Sequence, residues 1–127
     1  EIKMSESVYL TRTAGGALSK FTLVKIDASN EVTTAGATDA PWGVVQVDAV
    51  SGDAVNICVS GLTSIVSAGV ITLGTDNNVM AAANGHAQAY SGAGGGTQHA
   101  IGHYKHNATA AANDEVLIDY RGLLAQG

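Results

Sequence analysis

The feature that most constrains this chain is period-two alternation broken by a glycine turn, written twice. In Pro41–Gly61, PWGVVQVDAVSGDAVNICVSG, Val45 and Val47 alternate with Gln46 and Asp48. Ser51-Gly52-Asp53 then supplies turn chemistry, and Val55, Ile57 and Val59 alternate with Asn56, Cys58 and Ser60. Apolar residues at every second position put one face of a strand in a core, so this stretch predicts a half-buried β-hairpin. The pattern returns in Gly102–Gly122, where Asp114, Val116, Ile118 and Gly122 stand at the offsets of Asp53, Val55, Ile57 and Gly61. A hairpin used twice predicts a duplicated all-β unit. Neither copy carries visible chemistry.

The remaining segments are short β units and turns. Val8-Tyr9-Leu10-Thr11 has strand propensity. Phe21–Ile26 and Glu31–Thr34, joined by Asp27–Asn30, predict a first hairpin, and Pro41 opens the organising one. Leu62–Ser67, Val70–Leu73 and Val79-Met80 predict further strands. Thr72-Leu73 with Asn77-Asn78-Val79 is aligned here with Thr22-Leu23 and Asn30-Glu31-Val32. Ala81–Ala89 is compatible with one or two helical turns broken at Asn84-Gly85, and Ala108–Ala112 with another. Both are below the roughly 12 residues an isolated helix needs, so helix content should be low. The expected fold is a small β-tulip or barrel-like domain, 13–127, preceded by an extended N-terminal arm, 1–12.

Composition narrows the function classes. Lys and Arg number 6 against 11 Asp and Glu, a formal net charge of −5. Binding to nucleic acid or to anionic lipid needs a basic surface, so neither is expected. No apolar run approaches the ~20 residues of a membrane-spanning helix, and no basic n-region with an apolar h-region suggests a secretory signal within these residues. Charged residues are 13% and aromatics 5%. With so few large side chains, association with other subunits is an expected source of stability.

Each candidate for chemistry has a structural reading that fits better. Ser91–Gly96 with Thr97-Gln98 lacks the Lys of a phosphate-binding loop, and Thr97 stands where a dinucleotide fingerprint needs glycine. It reads as a loop. His86, His99, His103 and His106 lack a nearby Cys or acid at zinc spacing, and His103 and His106 fall on opposite faces of a predicted strand. They read as polar edge or subunit-boundary residues, and no metal or cofactor is expected. Cys58 sits mid-strand without an adjacent base and reads as an inert thiol. Asp48, Asp53, Asp76, Asp114 and Asp119 lie mainly at turns, where Asp caps the backbone. No catalytic residue is assigned, and the chain is not expected to be an enzyme.

Three phrases, Phe21–Asp27, Ala37–Val45 and Ser51–Gly61, echoed by Ile71–Asp76 and by Ala100–Gly102 through Tyr120, resemble the bacteriophage capsid decoration (cement or head-stabilising) proteins. The likeness runs from about Ser19 onward, and the His- and Gly-rich insert from His86 to His106 departs from it. It implies a non-enzymatic virion subunit, made in the host bacterial cytoplasm and usually trimeric. Such a subunit sits on the outer surface of the expanded head and clamps neighbouring major capsid subunits. It also implies an arm that adds a strand to a capsid sheet, which here places Ile2, Met4, Val8 and Leu10 at the capsid. The alternative is a phage tail or spike domain or a carbohydrate-binding β module, although Trp42, Tyr90, Tyr104 and Tyr120 form no aromatic cluster in sequence.

Overall fold

The structure is a computed structural model that describes residues 7–90 and 99–126. Nine strands are present among them: β1 (Val8–Thr13), β2 (Leu23–Ile26), β3 (Val32–Thr34), β4 (Gly43–Val45), β5 (Ala54–Val66), β6 (Asn78–Ala81), β7 (Ala87–Ala89), β8 (His99–Tyr104) and β9 (Glu115–Gln126). They join one antiparallel sheet in the order β3-β2-β4-β5-β9-β8-β6-β7, with β1 on β5, curled into a half-barrel. The order is a palindrome if β2, β3, β4 and β5 are matched to β6, β7, β8 and β9.

Register makes the duplication residue-specific. Leu23 faces Val44 and Val24 faces Gly43, while Asn78 faces His103 and Val79 faces Gly102. Val45 faces Ile57, and Tyr104 faces Ile118. Arg12 faces Val55 and Thr13 faces Ala54, while Ile65 faces Val116 and Val66 faces Glu115. The second half of β5 is therefore the counterpart of β1. Repeat one is residues 8–60, repeat two begins at Gly61, and β5 runs through both. Gly61 is where the strand changes repeat, with φ 103°, a conformation glycine adopts without steric cost. The aligned aspartates do the same work: Asp53 Oδ2 accepts from the Val50 N–H at 3.0 Å, and Asp114 Oδ2 from the Ala111 N–H at 2.8 Å. Each closes the turn that launches its strand.

Several expectations change. Leu62–Ser67 is not a separate run, because β5 continues through Gly61 to Val66. Val70–Leu73 forms no strand and contributes one isolated bridge, Ile71 to Ala110. Its backbone instead folds into a turn, in which Asp76 Oδ2 accepts from the Thr72 N–H at 2.7 Å. That turn breaks the alignment of Thr22-Leu23 with Thr72-Leu73. The O of Thr22 accepts from Val45, the O of Asn77 from Tyr104, so Asn77 is the equivalent of Thr22 and Val79 belongs to β6, not to a counterpart of β3. Helix is confined, among the described residues, to a 3-10 turn at Ala83–Gly85. Ala87–Ala89 is a strand and Ala110 a bridge: hydrogen bonds to β6 and to Ile71 outweigh the helix preference of Ala. The strand expected from Phe21 starts at Leu23, because Phe21 has φ 61°. This is an unusual conformation for a bulky residue, held by hydrogen bonds from its N–H to Val45 O at 2.7 Å and from Val66 N–H to its O at 2.9 Å.

The repeats stack. One face of repeat one, with Val24, Val45, Val55 and Ile57, closes over its own Ala14, Leu18 and Ala49. Repeat two builds the same core from Val79, Tyr104, Val116, Ile118, Ile71 and Ala110. This second core also takes in Leu23, Ala35 and Val44 from the opposite face of repeat one. Burying each of these large side chains contributes about 1.5–3 kcal/mol.

Candidate functional site

His86, His103 and His106 do not converge, and the side chain of His99 lies outside what the structure describes. His103 Nδ1 lies 2.7 Å from Asn78 Oδ1. His106 lies beyond the end of β8, and its Nδ1 accepts from the Leu117 N–H at 3.4 Å. His86 lies with Asn84 at a cleft of about 340 Å³ between the repeats, which Ala17, Ser19, Thr22 and Thr34 line from the other side. That lining carries hydroxyl, amide and imidazole groups without a carboxylate or an ammonium. Among the described residues no three His, Cys, Asp or Glu side chains come together. Cys58 is fully buried. Burial, reinforced by the charge of Asp119, pushes its thiol up against the opposing effect of the Ser60 backbone, so the nucleophilic thiolate is disfavoured.

The surfaces differ more than the polar groups suggest. β1 pairs with β5 alone, so its other edge meets no strand among the described residues. On it Val8, Tyr9 and Leu10 are 47%, 48% and 41% exposed. Three consecutive apolar residues, exposed on both faces beside unpaired backbone groups, form an edge open to another strand. Of the capsid-contact residues expected from sequence, Val8 and Leu10 lie here, and Ile2 and Met4 lie outside the described residues. Tyr9 is the residue that alternation passes over, although the unbroken run Val8-Tyr9-Leu10 is itself the signal.

A second surface covers the first core. Ile26, Trp42 and Val59 pack on it while remaining partly exposed, and the Arg12 guanidinium lies 5.1 Å from the Trp42 ring centroid. Such a contact contributes on the order of 0.5–1 kcal/mol when exposed. Repeat two carries a row across β6, β8 and β9: Asn78, His103 and Asp119 in direct register. Asp119 is 7% exposed. Its Oδ2 holds Arg121 through Nε at 2.9 Å and Nη2 at 2.7 Å, while its buried Oδ1 has no partner among the described residues.

Comparison with solved structures finds this fold in the N base of head fiber gp8.5 of bacteriophage phi29. The match covers 94% of this chain and 99% of that one, at a TM-score of 0.68 and 16% sequence identity. The fold is thus shared, over almost its whole length, with a component of a phage head. No protein-family model and no curated protein sequence matches the chain.

Proposed function

We propose that this protein is a non-enzymatic structural component of a phage head, held on the outer capsid surface, where it braces neighbouring major capsid subunits as a homotrimer. The observation that carries the reading is the end-to-end match in fold with a head fiber base, on top of the sequence resemblance to capsid decoration proteins. The physics of the open edge supports it. Val8, Tyr9 and Leu10 offer backbone donors and acceptors with apolar side chains alongside, which suits a strand supplied by a capsid protein. Many copies on one lattice gain avidity, so each contact can be weak. Among the described residues the thiol is buried and no three potential metal ligands cluster, which fits a structural role.

The test is co-sedimentation of the purified chain with expanded, undecorated heads, with unexpanded proheads as control. Saturable binding to expanded heads alone supports the bracing role. Equal binding to both forms favours the second reading, in which the chain is the base of a fiber or spike, as the solved neighbour's description suggests. Binding to neither removes the head-associated role.

A further inference from the structure

We infer that copies of this chain associate head to tail, repeating between molecules the contact that the two repeats make within one. The inference rests on the duplication alone and not on head binding.

Inside the chain, repeat one presents the face of Leu23, Ala35 and Val44 to repeat two, which receives it with Ile65, Ala81, Ile101 and Tyr120, all fully buried. Register assigns the counterparts. Arg12 stands for Ile65 and Ile26 for Ala81. The residues that precede Gly43 and Gly102 are Trp42 and Ile101, and those that follow Cys58 and Asp119 are Val59 and Tyr120. The receiving face of repeat one is therefore Arg12, Ile26, Trp42 and Val59, the partly exposed patch over the first core. No repeat among the described residues covers it. The presenting face of repeat two is likewise Asn78, Tyr90 and His103, with Asp119 in the same row, and no repeat follows to receive it among the described residues.

The two uncovered faces suit one another. Neither Asn78, Tyr90 nor His103 carries a fixed charge, and aromatic and amide groups of this kind are common where one surface meets another. The patch supplies a guanidinium, Arg12, and the row a carboxylate, Asp119. Placed as Ile65 is placed within the shared core, Arg12 of one copy arrives at the Asn78–His103–Asp119 row of the next. There the guanidinium meets amide, imidazole and carboxylate groups, and its hydrogen bonds to acceptors of this kind are stronger than neutral ones. The two faces differ, so the contact is heterologous and closes only as a ring.

The experiment is mass measurement of the full chain by analytical ultracentrifugation at about 100 µM, where even contacts of micromolar affinity are populated. The wild type should exceed the 12.8 kDa of one chain. Arg12→Ser on the patch, which removes the guanidinium, and Asn78→Arg on the row, which sets a like charge against Arg12, should each weaken association on the order of 10-fold or more and sediment as monomers. Mixed one to one, they should form a dimer and nothing larger, because each retains the face the other has lost. Ile26→Ser and Tyr90→Ser repeat the test should either variant lose its far-UV spectrum. A monomeric wild type, assembly indifferent to both substitutions, or a mixture that stays monomeric would each overturn the inference.

Discussion

The two repeats have the same strand order and register but opposite circumstances. The core of repeat two is sealed on both sides, with Ile65, Ile101 and Tyr120 at 0% exposure. The core of repeat one is sealed only by its own loops, and its corresponding Arg12, Trp42 and Val59 stay partly in solvent. Position in the stack, not strand order, decides which residue types each repeat can carry. The face that repeat one turns inward is Leu23, Val44 and Cys58, whereas the same face of repeat two is Asn78, His103 and Asp119.

The largest expected effect tests the shared geometry. Gly43 and Gly102 are equivalent, and each lets its strand cross close to the next. A Cβ at Gly102 would collide with the carbonyl O of Asp119 and stand 3.1 Å from its carbonyl C and 3.2 Å from the Tyr120 Cα, all backbone. At Gly43 the first collision is with the Ile57 Cγ2, a side-chain atom, then with Cys58 O at 2.8 Å. Backbone in the middle of a sheet cannot step aside, and a methyl can. Gly102→Ala should cost about 3 kcal/mol or more and Gly43→Ala about 2 kcal/mol in urea denaturation. Equal losses would mean that repeat one is as tightly held as repeat two.

Next in size is the loss of a matched core residue. Ile57 and Ile118 are both fully buried at equivalent positions. Each change to Ala should cost about 3 kcal/mol. Because β5 belongs to both repeats and Leu23 and Val44 sit in the second core, either substitution should lower one common transition. Fluorescence of the single tryptophan, Trp42, reports on repeat one, and far-UV dichroism on the whole sheet. Two separated midpoints would show the repeats to be independent units.

How much of this was legible beforehand follows from which residues have a forced identity. Asp53 and Asp114 close turns, and Gly61 and Gly122 lie at the same offset along their strands, so these positions match in sequence and disclose the duplication. Val55 and Val116, Ile57 and Ile118 match because both cores need them. β1 and its counterpart do not match: VYLTRT aligns with GLTSIV, one an open edge and the other an inner strand, so different surroundings select different side chains. Trp42 and Ile101 hide the same equivalence for the same reason. The open patch and the polar row were invisible because they depend on which repeat comes first, a property of the stack that no single segment encodes.

Alkaline pH separates the repeats chemically. Tyr120 is fully buried with a hydroxyl that has no partner among the described residues; burial, then the neighbouring Cys58, pushes its phenol well above the ordinary range. Its counterpart, Val59, does not titrate. The folded state keeps the phenol protonated, whereas the unfolded chain releases that proton above about pH 10. The stability associated with this group is therefore intact at neutral pH and falls as pH climbs past that value. Cys58, also pushed up by burial, adds to the fall from about pH 8.5. Tyr120→Phe should leave neutral stability unchanged or raised by up to about 1 kcal/mol, since the hydroxyl is buried unpaired, and should flatten the decline above pH 10. An unchanged alkaline limb would place the loss in other groups.

The smallest effect comes from making repeat one resemble repeat two at its surface. Lys25 is the equivalent of the buried Met80 and reaches Asp39 at 3.2 Å, with side chains 39% and 36% exposed. Asp39 also accepts from the Gly36 N–H at 2.8 Å, so its loop does not depend on the lysine. An exposed pair of this kind offsets its Coulomb gain with lost side-chain freedom and salt screening, and Lys25→Met should shift stability by no more than about 0.5 kcal/mol. A larger loss would mean that the ion pair fixes the β3–β4 loop. A clear gain would mean that position 25 lies closer to an apolar surface than its exposure in the chain shows.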